Sequence, residues 1–341
     1  MKHLSLFLLS LLLLLAAPAA QQNPHLLVYR GESGPGAGKH IVWLAGDHEY
    51  RSEEALPALA RIMASRYGFT CSVFFTIDAK TGFIDPGSSN IAGLDALGKA
   101  DLLVVFLRFQ DFPDAEMQHI AAYLDRGGPV IGFRTATHAF QIKRPDAEFL
   151  KYTWKNGDPQ YPGGFGRQIL GETWVSHYGT NHKQSSKLLL EPNQAAHPIL
   201  RGVKDVWVRS GGYTADPIAG SVVLARGRIL DGMSPEAPPA ADKQEMPVAW
   251  YRTYSAASGR SGRVFTTTHG ASEDLVNDGF RRMAVNATLW AAGLEASIAP
   301  ANDIRFVGPY EPSTFSFGGH VKNQKPEDMA GWTAAIPTRV P

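Results

Sequence analysis

Cysteine is almost missing from this chain: one residue, Cys71, in 341. An intramolecular disulfide is therefore excluded, and so is any metal centre built on several thiolates. Cys71 lies in Thr70-Cys71-Ser72-Val73-Phe74-Phe75, which reads as a buried strand, so its expected role is packing. Excess charge of either sign is also missing. Lys and Arg total 33 against 32 Asp and Glu, and no block of like charge stands out. Nucleic acid and anionic membrane surfaces are accordingly poor partners. No stretch after residue 15 is apolar for long enough to cross a bilayer. The phosphate-loop signature is absent too: Gly31–Lys39 (GESGPGAGK) has Ser33 where the first glycine belongs, and His40 follows the lysine. No G-x-G-x-x-G follows the first strand, which disfavours a nicotinamide-dependent sugar dehydrogenase. No internal repeat is present.

The first 19 residues do carry a signal. Lys2 and His3 precede an apolar run from Leu4 to Leu15, and Ala17-Pro18-Ala19 supplies small residues for cleavage. This pattern predicts a secretory signal peptide and an exported protein, periplasmic or extracellular, with no stable membrane insertion after cleavage. Cleavage after Ala19 would leave 341 − 19 = 322 residues, enough for one large domain.

The body of the chain alternates between strand-like and helix-like segments. Strands are expected at 40–45, 70–77, 101–107 and 129–133, then at 221–230, 247–254 and 263–268. Helices are expected after Ser52, read as an N-cap, to Gly68, over 113–126, and over 278–294. DLLVVFL at 101–107 is apolar throughout, as a parallel strand covered on both faces must be. The order predicts an α/β fold with a doubly wound, mostly parallel sheet. Residues 20–37 read as a flexible lead-in, 141–205 as an insertion lying over the sheet's carboxyl edge, and 297–341 as an extended tail with six prolines from 300 onward.

Ligands of open α/β sheets bind beyond the carboxyl ends of the strands. Four strand ends here deliver hydrogen-bonding or titratable groups. The first brings His48, Glu49 and Arg51; the third Arg108; the fourth Arg134, Thr135 and His138; the last His269. The fourth end, PVIGFRTATHAF, has the shape of a strand-to-helix elbow with arginine in the nucleophile's place. A guanidinium is neither nucleophile nor base. Arg134, with the N–H groups of the following turn, is read as an anion or hydroxyl anchor, and proton transfer is assigned to His48, Glu49, His138 or His269. From the insertion come Trp174 and His177 as substrate contacts, with Tyr161 and Tyr178 as further faces for a sugar ring. His177 and His182, five apart, are the only candidates for a divalent metal, a cofactor otherwise left open.

GDHEYRSEEALPALARI, GGPVIGFRTATHAF, GGFGRQILGETWVSHYG, HPILRG and GRVFTTTHGASEDL together resemble the ThuA-like (trehalose-utilisation) family of the class I glutamine-amidotransferase-like superfamily, over roughly 38–296. VGPYEPSTFSFGG resembles the tail of its exported bacterial members. The resemblance implies a flavodoxin-like sandwich, a link to disaccharide and keto-sugar metabolism, and loss of the amidotransferase cysteine. Many relatives have histidine where this chain has Arg134, so an elbow base is not implied here. Amidotransfer is excluded, since Cys71 belongs to another strand. Two readings follow: an exported enzyme that hydrolyses, eliminates or isomerises a small carbohydrate, or a non-catalytic carbohydrate-binding module on a degenerate fold.

Overall fold

A computed structural model describes residues 23–338. The expected signal peptide lies outside the described residues. Among these, no helix is long and apolar enough to cross a membrane.

A ten-stranded sheet organises the chain. In sequence the strands are β1 (Leu26–Arg30), β2 (His40–Gly46), β3 (Thr70–Phe75), β4 (Leu102–Leu107), β5 (Val130–Phe133), β6 (His177–Tyr178), β7 (Ser185–Leu190), β8 (Trp207–Val208), β9 (Gly212–Tyr213), β10 (Val222–Leu230), β11 (Met246–Ser255) and β12 (Ser261–Thr267). The large sheet runs β1-β3-β2-β4-β5-β12-β11-β10-β7-β8, and β6 pairs with β9 separately. The centre, β3-β2-β4-β5-β12, is parallel. β1 is antiparallel on one side, and β11, β10, β7 and β8 continue antiparallel on the other. The sheet is thus mixed, and the parallel arrangement expected from the sequence describes its centre.

Helices α1 (Ser52–Tyr67), α2 (Asp114–Asp125) and α3 (Asp278–Ala291) cover both faces. Alternation along the strands decides which side each residue serves. Ile41, Trp43, Val104 and Phe106 face α1 and α3, whereas Val42, Leu44, Leu103 and Val105 face α2. This two-sided burial is why β4 has no polar residue. α1 ends at Gly68, whose φ of 82° permits the left-handed cap, and Phe69 N–H returns to the Met63 carbonyl at 3.3 Å.

Three expectations need correction. The lead-in is not wholly irregular: Leu27 and Tyr29 are buried as β1, because the free edge of β3 accepts a strand there. Ser52 does not cap α1. Arg51 holds that position with φ of 65°, while Ser52 Oγ accepts from Asp47 N–H at 2.9 Å. The insertion also does not extend to 205 as one body, since β7 pairs with β10 in the main sheet. The tail wraps the domain and buries Ile304, Phe315, Met329 and Ile336.

Candidate functional site

The loop after β2 is closed by Asp47, whose Oδ1 accepts from the N–H groups of Glu49 and Tyr50. This turn lifts His48 and Glu49 above the sheet. Glu49 forms an ion pair with Arg108, from the end of β4; both side chains are 7% exposed. Asn181 of the insertion donates to Tyr50 Oη at 2.9 Å and reaches Glu49 at 3.4 Å. Tyr50 Oη also lies 3.1 Å from His177 Nε2. His48, next to Glu49 in sequence, and His177, through Tyr50, both lie close to the pair. His48 is half-buried and His177 exposed. Burial lowers both imidazole pKa values, although Asp47 opposes the shift at His48, so both rings are neutral at neutral pH.

Beneath them lies His138, 1% exposed. Its ring centroid is 4.8 Å from that of Phe109, 5.2 Å from Trp174, 5.7 Å from Tyr213 and 6.3 Å from Trp154. Burial first, then Arg108 and Arg134, holds its pKa well below the usual histidine range. It is a neutral imidazole forming the floor of an aromatic cage. Phe109, Trp154 and Trp174 are half-buried, and Lys155 Nζ lies 4.5 Å from the centre of the Trp154 ring.

The elbow forms, but its arginine turns inward. Arg134 has φ of 43°, the left-handed region expected at such a bend, and the following helix is only a 3₁₀ turn to His138. Its Nη1 donates to the Gly211 carbonyl at 2.7 Å and the Thr268 carbonyl at 2.9 Å. The guanidinium lies 3.6 Å from the centre of the Tyr50 ring and 4.8 Å from that of Tyr213. Burial pushes both tyrosines up, so neutral π faces sandwich the cation. Arg134 is fully buried and stitches β9 and β12 to the loop after β2, so the anion-binding corner expected at the elbow is not formed. Thr135 is fully buried beside it.

Two other candidates have structural positions. His269 is fully buried. Its Nδ1 lies 3.1 Å from Ser210 Oγ, which donates to Asp274 at 2.6 Å. A Cβ on Gly227 of β10 would sit 3.7 Å from its Nε2, so that nitrogen faces the sheet. Arg51 is buried and donates to the Ser316 carbonyl at 2.7 Å, which makes it a clamp on the tail. His182 is exposed and stacks on Phe315 at 4.4 Å, whereas His177 turns to Tyr50. Among the described residues no group of three or more His, Cys, Asp or Glu side chains can hold a metal ion, so His177 and His182 lack the further ligands a site would need. Tyr178 donates to the Gln244 carbonyl, and Tyr161 lines a separate groove of about 340 Å³ beside α2.

Sequence reasoning missed Phe109, Trp154, Tyr213 and Asn181. Phe109 follows Arg108 with φ of 51°, a local bend no pattern announces. Trp154 and Tyr213 are ordinary aromatics until the chain brings each of them within 6.3 and 5.7 Å of the His138 ring. Buried polar atoms without a protein partner concentrate here: Asp47 Oδ2, His48 Nδ1, Arg108 Nε, Thr135 Oγ1, Trp174 Nε1 and Asn181 Oδ1 among them. Each would cost about 1–3 kcal/mol if never satisfied, which marks the strand ends as a site built for solvent or ligand.

Residues 41–291 match the ThuA family, described as trehalose utilisation. The chain belongs to the ThuA family. Two solved structures similar to this ThuA-family chain are ThuA-like proteins. The one from Bacteroides uniformis is 14% identical, with 79% of this chain and 96% of that one covered at a TM-score of 0.45. The one from Parabacteroides merdae is also 14% identical, with 82% and 96% covered at 0.44. No curated protein matches the sequence.

Proposed function

We propose that this ThuA-family protein acts on a neutral carbohydrate at the carboxyl edge of the parallel strands, with His48 and His177 as the proton-transfer groups. One observation carries the reading. Two neutral imidazoles, half-buried His48 and exposed His177, lie near the Glu49–Arg108 ion pair, beside the half-buried aromatics Phe109, Trp154 and Trp174. Aromatic faces take the apolar face of a sugar ring. Arg108 is paired with Glu49, Arg134 is held by two carbonyls and two tyrosine rings, and Lys155 Nζ lies 4.5 Å from the centre of the Trp154 ring. The pairing of the two buried arginines favours a neutral ligand over an anion there.

Neutral imidazole accepts a proton from a ring hydroxyl or from water, and the imidazolium returns it to the leaving or carbonyl oxygen. This is the proton traffic of hydrolysis, elimination or isomerisation. Glu49 orients Arg108 through their ion pair. Export through the N-terminal leader is part of the same proposal, because it places the site among extracellular or periplasmic sugars.

The specific observation favouring a binding module is that Glu49, Arg51, Arg134 and His269 are all engaged by the scaffold. One experiment separates the two readings. A panel of disaccharides and their keto forms is titrated by tryptophan fluorescence and assayed for turnover. Trp154→Ala should weaken binding. His48→Gln or His177→Gln should lower turnover by about 10²–10⁴-fold with binding largely kept. Binding without turnover in wild type gives the module, and neither binding nor turnover removes the carbohydrate reading.

A further inference from the structure

The tail beyond the matched family region places an exposed aromatic at the site. Phe317 is 61% exposed, yet the backbone on either side of it is pinned. Ser316 receives the Arg51 guanidinium on its carbonyl at 2.7 Å and on Oγ at 3.1 Å. Gly318 N–H donates to the His48 carbonyl at 2.8 Å. Three residues before Ser316, Ser313 N–H donates to buried Glu54 at 2.8 Å. An apolar side chain presented from a clamped backbone is preorganised, so a ligand that covers it pays little ordering cost.

Its neighbours give the direction. The Phe317 ring lies 4.3 Å from Arg108 Cζ and 5.5 Å from the His48 ring. Arg108 Cζ also lies 5.4 Å from the Phe109 ring. Phe109 is 5.0 Å from Trp154, and Trp154 is 5.5 Å from Trp174. These five groups form a chain of contacts of 4.3 to 5.5 Å from Phe317 to Trp174, with the ring planes tilted by 54° at Phe109–Trp154 and 48° at Trp154–Trp174. The two ends keep different company: Phe317 adjoins His48, and Trp174 adjoins His177 and Lys155.

We infer that Phe317 is an outer subsite and that the ligand is a chain of neutral sugar rings, stacked on Trp154 and Trp174 at one end and on Phe317 at the other. This rests on the carbohydrate reading above and adds the ligand's length and the tail's part in holding it. Residues 313–319 are then a component of the binding surface, fastened to α1 by Glu54 and to the loop after β2 by Arg51 and the His48 carbonyl.

The test is a ladder of linear gluco-oligosaccharides, one to four rings, titrated into the full chain by calorimetry. Wild type should bind three rings more tightly than one. Phe317→Ala should raise Kd for the three- and four-ring members about three- to tenfold, with the one-ring value and the melting midpoint unchanged. Phe317→Trp should restore the length dependence. Trp154→Ala should weaken every member. If Phe317→Ala changes no Kd, or changes all of them equally, the outer subsite is overturned while the carbohydrate reading stands. If no member binds wild type, the carbohydrate reading falls and the subsite with it.

Discussion

Arg134→Ala should unfold far more easily than wild type, and Arg134→Gly should be the better tolerated of the two. The guanidinium makes two charged hydrogen bonds, to Gly211 and Thr268. Each such bond contributes about 1.5–3 kcal/mol. Its desolvated contact with Tyr50 and Tyr213 adds about 2 kcal/mol. Against this stands the cost of burying the cation, several kcal/mol per ion, which alanine removes. Truncation also strips a donor from two carbonyls and opens a void between two tyrosines. The balance is a loss of about 3–5 kcal/mol, the range for breaking one side of a buried polar arrangement. The backbone then orders the two variants. At φ of 43° any residue with a Cβ is strained, by roughly 1–2 kcal/mol, and glycine is not. Glycine ordinarily destabilises relative to alanine, so the reversed order is diagnostic. Urea unfolding followed by tryptophan fluorescence reads both numbers. A loss below about 1 kcal/mol for Arg134→Ala, or a glycine variant no more stable than the alanine one, refutes this account of the elbow.

Stability should also fall as pH rises past the ordinary carboxyl range. Burial, with the Glu54 charge second, pushes Glu53 up to about 8, and burial pushes Glu54 up to about 7. Between the ordinary value near 4.5 and about 8 the folded chain keeps protons that the unfolded chain has released, so stability is lost through that window. Glu53→Gln should flatten the dependence and raise the urea midpoint at pH 8; parallel profiles for the two proteins would contradict the assignment. Cys71 is fully buried, and burial pushes its thiol up. A thiol reagent should find no group in the native protein and one in denaturant, and rapid native labelling would contradict its place in β3.

The parallel strands were legible because each carries its own evidence. HIVWLA and DLLVVFL are too apolar and too short to be anything but strands buried on both faces, and the helices between them have stripes at helical spacing. β1 was not, since LLVYR is a strand only because β3 offers it an edge about 45 residues later. The site divides the same way. That residues 46–51, 108–110 and 134–138 meet follows from topology alone. What each side chain does there depends on partners far along the chain: Arg134 faces inward because Gly211 and Tyr213 arrive at β9, and Arg51 is consumed because Ser316 arrives from the tail. A charged residue at a strand end is therefore ambiguous in one dimension. It is a ligand contact if nothing from the rest of the chain reaches it, and a structural clamp if something does. His48 and His177 are the strand-end and insertion histidines that keep solvent access: His48 is half-buried against Phe317, and His177 is exposed although its Nε2 meets Tyr50 Oη.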